Sequence, residues 1–221
     1  MRTVISTITI LLLTSCTRAP RPVATPPAVA TPEAANTAGC NHCPVALSSK
    51  ASSAFGVPGS QQPNGCKTVL SNGLPLPDPH CTPGAENPTV TLDVLRNTAF
   101  RTACLRDCAS TESQKHVTYG WYSLTPPPNN TGNSQTCELD HLVPLELGGA
   151  DTLDNIWPQC GPDGVSLNDR YFKRKDLVEN YLTAQVKSGA MDLETARHQI
   201  ATDWTPFVTA AKRFCAVNNC Q

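Results

Sequence analysis

Hydrophobic residues are spaced like helices over the C-terminal part of the 221-residue chain and follow no sustained period before about residue 88. Tyr171, Val178, Leu182 and Val186 return to one face of an α-helix, which predicts a helix over 169–188 with Asn168 as its N-cap and Gly189 as its stop. Leu193, Ala196, Ile200 and Trp204 repeat that spacing over 191–214, with Asp192 in the N-cap position. There Pro206 restarts the helix at a position where a missing N–H is tolerated. Upstream, Val90, Leu92 and Val94 alternate before Leu95, Ala99, Phe100 and Ala103 fall at helical intervals, so a strand leading into a short helix is expected over 90–108. The run Val4–Leu13 behind Arg2 is apolar throughout but too short to span a bilayer, and has the form of a secretory signal. Residues 17–39, rich in Pro, Ala and Thr, have too little apolar surface to fold and predict an extended tether.

These patterns divide the chain into a signal over 1–15, a tether over 16–39, a cysteine-rich irregular extension over 40–88 and a folded domain over 89–221. The expected fold class is α+β, with closing C-terminal helices and disulfide bracing. Seventeen basic residues against eighteen acidic ones leave a net charge of −1, so any contact with a polyanion must rest on a local basic patch. Eleven cysteines imply an oxidising compartment. The segment Leu13-Thr14-Ser15-Cys16 resembles a bacterial lipobox, which would make Cys16 the lipidated first residue of an exported, envelope-anchored protein. Setting Cys16 aside leaves an even number for disulfides. Their pairing does not follow from order, although Cys137 and Cys160 bracket a hairpin and Cys215 with Cys220 would pin the C-terminal tail. Zinc ligation by Cys40, Cys43, Cys104 and Cys108 is the rival use, and an export signal argues against it.

Candidate chemistry is concentrated in 137–159. Asp140 and His141 are adjacent, Pro144 closes a short apolar run, Gly148 and Gly149 make a turn, and Asn155 precedes Ile156 and Trp157. Histidine titrates near neutrality and suits a base that takes a proton from water. A carboxylate is a hard oxygen ligand for Mg²⁺, Mn²⁺ or Ca²⁺. Successive strand residues point to opposite faces, so Asp140 and His141 share a site only where the strand ends or bulges. Asn155 would either hold the imidazole or fix the loop that carries it. On the predicted helix, Arg170, Lys173, Arg174 and Lys175 form a basic cluster suited to phosphates. His116 and His198 lie in polar surroundings and are expected at the surface.

In order and spacing, Asp140, His141, Pro144, Gly148, Gly149 and Asn155 resemble the central hairpin of the HNH, or ββα-metal, nuclease superfamily. That resemblance implies a ββα core and one divalent metal ion, Mg²⁺ first and Mn²⁺, Ca²⁺ or Zn²⁺ otherwise. It implies cleavage of DNA, or RNA, by a monomer with little sequence preference, with His141 activating water, Asp140 holding metal and Asn155 orienting His141. In the superfamily the helix adds a last metal ligand, His or Asn near its start. No histidine stands there, so Asn168 is the substitute by type and position and Glu179 a second candidate. A non-catalytic envelope lipoprotein using a nuclease-like hairpin as a binding scaffold is the alternative.

Overall fold

A computed structural model describes residues 62–106 and 112–220. The signal, Cys16, the tether, Cys40, Cys43 and Cys108 lie outside the described residues. The described part mixes helices with small antiparallel sheets, each of two strands, as the α+β expectation required.

The first sheet lies in the stretch expected to be irregular. Strands β1 (Val69–Ser71) and β2 (Leu74–Leu76) pair antiparallel around Asn72 and Gly73, whose positive φ values of 50° and 75° suit a tight hairpin turn. Strands of three residues are too short to show a period. Ser71 donates to Asp203 and Asn72 to Thr205, tying this hairpin to the C-terminal helices. The Cys66–Cys81 disulfide closes its flanks.

No strand forms around Val90. Its N–H instead closes a turn on the Asn87 carbonyl, and Thr91 caps a short helix α1 (Leu92–Arg96). The alternation of Val90, Leu92 and Val94 therefore reflects one buried turn residue followed by the partly buried face of a helix. A 3₁₀ turn at Thr102–Leu105 follows, and Cys104 in it is disulfide-bonded. Helices α2 (Glu112–Lys115) and α3 (Val117–Trp121) bury Tyr119 and Trp121, while His116 is exposed as expected.

The second sheet pairs β3 (Cys137–His141) with β4 (Ile156–Cys160), setting Asp140 opposite Trp157 and His141 opposite Ile156. The disulfide Cys137–Cys160 joins the facing pair at its far end. The intervening loop packs tightly. A Cβ on Gly149 would lie 1.8 Å from the Val143 carbonyl oxygen, so no other residue fits there. Arg197, buried and unremarked in the sequence, reaches across to donate from Nε to Leu147 O at 2.7 Å and from Nη2 to Val90 O at 2.8 Å.

Helix α4 (Tyr171–Ser188) begins later than the spacing predicts. Leu167–Asp169 is a 3₁₀ turn, Arg170 takes the N-cap position with an extended ψ of 152°, and Asn168 is exposed without capping. The break coincides with the Arg170 side chain being drawn onto the Pro162 carbonyl. Gly189 ends α4 at φ 82°. In α5 (Leu193–Asp203) Asp192 caps through its carboxylate, accepting from Thr195 N at 3.0 Å, and Pro206 lies in a 3₁₀ turn leading into α6 (Val208–Asn218). Cys215 pairs with Cys220. Val178, Leu182, Val186, Ala196, Ile200 and Trp204 are all fully buried and meet Val143 and Leu147 from the β3–β4 loop in one core. The helices thus form the floor under that loop.

Candidate functional site

His141 is the last residue of β3, and there the strict alternation of the strand relaxes. Asp140 and His141 consequently both line one polar cleft of about 130 Å³. Thr102 and Arg106 also line it, and Glu138, Glu146, Asp176 and Glu179 supply four further carboxylates. Of the two candidates for a last ligand from the helix region, Glu179 lines this cleft, whereas Asn168 lies on the exposed turn before α4 and is not among its lining residues.

One imidazole nitrogen of His141 is fixed. Nε2 lies 2.8 Å from Asp151 Oδ1, which also accepts from Lys115 Nζ at 2.6 Å. Asp151 and Lys115 are both buried. Nδ1 makes no hydrogen bond among the described residues. Burial pushes the His141 pKa down, against the opposing hydrogen bond to Asp151, and so favours the neutral ring. Burial alone would raise the Asp151 pKa, but the hydrogen bonds and charges of His141 and Lys115 hold it well below the usual carboxylate range.

Asn155 does not touch the imidazole. Its Nδ2 donates to Val143 O and to Ala150 O, both at 2.8 Å, and its Oδ1 accepts from Val143 N at 2.8 Å. It is fully buried and fixes the loop, the second of the two roles its type allowed.

Lys175 is not a surface phosphate contact. It is completely buried, and its ammonium lies 2.9 Å from Asp140 Oδ2, 2.5 Å from Glu179 Oε1 and 2.7 Å from the His141 carbonyl. The contact between Asp140 Oδ2 and the Lys175 ammonium is a buried ion pair. Burial works against the charge on Lys175, but Asp140 and Glu179 more than offset it and keep the ammonium protonated. Burial raises the pKa of both carboxylates despite the shared ammonium. Glu138, crowded by Asp140 and Asp176 after burial has acted, is pushed up to about 7.

Two of the remaining basic residues are also engaged. Arg170 is buried against Pro162 and faces Asp163 at 3.6 Å, while Lys173 pairs with Asp176 at 2.7 Å. Arg174 is half-buried, and its Nε has no hydrogen-bond partner among the described residues. An intrahelical ion pair and a carbonyl contact therefore compete with any phosphate for most of the cluster.

The donor chemistry of the cleft suits a hard divalent cation, because carboxylates whose pKa values are raised by burial and by one another gain from a positive charge among them. Among the described residues no three side chains already converge as a ligand set. Asp140 and Glu179 would furnish two carboxylates and water the rest, the mode typical of Mg²⁺. Asp151, Lys115, Glu138 and Glu146 carry no mark of such a role in the sequence. Only the position of Asp151, just after Gly148-Gly149-Ala150, offered a hint.

Compared with family models, with curated proteins and with solved structures, the chain matches none of them.

Proposed function

We propose that this chain is an endonuclease of the HNH type, hydrolysing phosphodiester bonds of DNA or RNA with little sequence preference. The observation that carries this reading is the imidazole of His141 lining an acidic cleft, with Nε2 engaged by Asp151 and Nδ1 making no hydrogen bond among the described residues. In it, His141 Nδ1 takes the proton of the attacking water. Asp140 and Glu179 hold one divalent cation, which when bound supplies positive charge to offset that building on the phosphate. Arg106, which also lines the cleft, would meet a phosphate oxygen there. Asn155 keeps the loop beneath His141 in place. Its three disulfides within the described residues support an exported protein, in which Cys16 would carry the lipid anchor.

One observation favours the scaffold alternative. Lys175 already neutralises part of the charge on Asp140 and Glu179 without any added ion. A nuclease zymogram run with and without chelator, on wild type and His141→Ala, tests the enzyme reading. Expected is cleavage by the wild type that the chelator abolishes and a folded but inactive variant. A disulfide-intact wild type that cuts no nucleic acid with Mg²⁺, Mn²⁺, Ca²⁺ or Zn²⁺ leaves the scaffold alternative in its place. Titration of Mg²⁺ into wild type and Asp140→Ala then reports whether the cleft binds a cation at all.

A further inference from the structure

We infer that Asp151 is a positioning residue for His141, held by Lys115 and set in register by Asn155, and that it dictates which imidazole nitrogen is available to take a proton. The role rests on the nuclease reading for its catalytic consequence, but the geometry stands without it.

An imidazole has two nitrogens of which one carries the proton in the neutral ring, and the partner of one nitrogen decides the state of the other. Here Asp151 Oδ1 lies 2.8 Å from His141 Nε2. A carboxylate that is ionised can only accept, so Nε2 must donate and the lone pair is left on Nδ1. Lys115 Nζ, 2.6 Å from the same oxygen, keeps Asp151 ionised and prevents it from rotating away. Two further charges face the ring region. Asp140 is adjacent in sequence, and the Lys175 ammonium donates to the His141 main-chain carbonyl at 2.7 Å, steadying the backbone rather than the ring.

The loop geometry gives the pair its precision. Val143 lies two residues after His141, and Ala150 immediately precedes Asp151. Asn155 donates to the carbonyls of both through one amide nitrogen, at 2.8 Å each, and accepts from Val143 N. The chain between His141 and Asp151 is therefore tied off at its two ends by one buried side chain. Its Gly149 closes the turn, where a Cβ would strike Val143 O. Positions within about half an ångström matter for proton transfer, and a loop so anchored holds them.

The tautomer of His141, read by long-range ¹H–¹⁵N correlation on the wild-type protein at a pH where the ring is neutral, tests this directly. The expected signature is the Nε2–H form, and finding Nδ1–H would overturn the assignment without any variant being made. In Asp151→Asn the Asn oxygen is retained by Lys115 and its amide donates to Nε2, so the ring is expected to flip to Nδ1–H. Alongside, kcat for plasmid cleavage should fall about 10²–10⁴-fold with KM little changed. A folded Asp151→Asn that keeps both tautomer and kcat refutes the role. If Asp151→Asn does not fold, Lys115→Met serves instead. It is expected to keep Nε2–H while broadening the ring signals as Asp151 gains freedom, and an unaltered ring refutes the part given to Lys115. An Nε2–H ring that flips in the variant of a protein with no nuclease activity upholds the positioning and removes the nuclease reading alone.

Discussion

Lys175 Nζ lies 2.9 Å from Asp140 Oδ2, and neither side chain has appreciable access to solvent. With Glu179 at 2.5 Å on its other side, the lysine is an internal counter-ion shared by two carboxylates. Removing one partner of a buried ion pair leaves an uncompensated charge in a poorly solvated place, at a cost of about 3–5 kcal/mol. Lys175→Met should lower the unfolding free energy by that amount, read from the shift of the midpoint in urea titrations. A lysine that served only as a phosphate contact would leave the midpoint unchanged and reduce the salt dependence of nucleic-acid binding instead.

Gly149 and Gly65 make a matched comparison. The Cβ of an alanine at 149 would fall 1.8 Å from Val143 O, whereas at 65 nothing lies within 4 Å and only the φ of +66° opposes a side chain. Gly65→Ala is expected to cost about 1 kcal/mol. Gly149→Ala must displace the loop itself, with a loss of about 3 kcal/mol or more in urea titrations. Equal midpoints for the two variants would show that the loop yields freely.

Asn155→Ala leaves Val143 N, Val143 O and Ala150 O without their present partner in a buried loop. Unsatisfied buried groups cost about 1–3 kcal/mol each, and partial rehydration brings the expected total to about 3 kcal/mol. Hydrogen exchange should quicken at Val143 N–H while the amides of α5 stay protected. Uniform acceleration across both would mean that Asn155 supports the whole fold rather than one loop.

Glu138 has its pKa raised to about 7 by burial and by the neighbouring Asp140 and Asp176. A raised carboxylate pKa means that the folded state binds the proton more tightly than the unfolded chain. The associated stability is full below the ordinary glutamate range and is lost as pH rises through about 7. In chelator-containing buffer, the melting temperature of Glu138→Gln should therefore hold up better than wild type on going from about pH 5 to pH 8. Parallel curves for the two proteins would place Glu138 outside the crowded part of the cleft. Burial of His141 acts in the opposite sense, since its depressed pKa favours the folded state above the ordinary histidine range and that gain is lost as pH falls through the depressed value. Cleavage by the His141 base should accordingly persist below the pH at which an unperturbed histidine would be half protonated.

Local periodicity and short-range chemistry made much of this architecture legible. Val178, Leu182 and Val186 were readable as a buried helical face, Asp192 as a cap, Gly189 as a stop and Cys137 with Cys160 as the brackets of a hairpin, because each depends on neighbours within a turn or two or on one strand's reach. The same locality exposed Asp140, His141 and Asn155 as a group. It failed where elements were shorter than a period, as at Val69–Ser71, and where an alternating run was shared between a turn and a helix, as at Val90–Leu95. Tertiary packing alone decided which charges meet. Lys115 reaches Asp151 from a separate helix, Arg197 spans to Val90, and Lys175 turns inward to Asp140 while its neighbour Lys173 pairs with Asp176. Coulomb attraction acts through space and is governed by burial, so a row of basic residues along one helix carries no mark of which one will be taken into the interior.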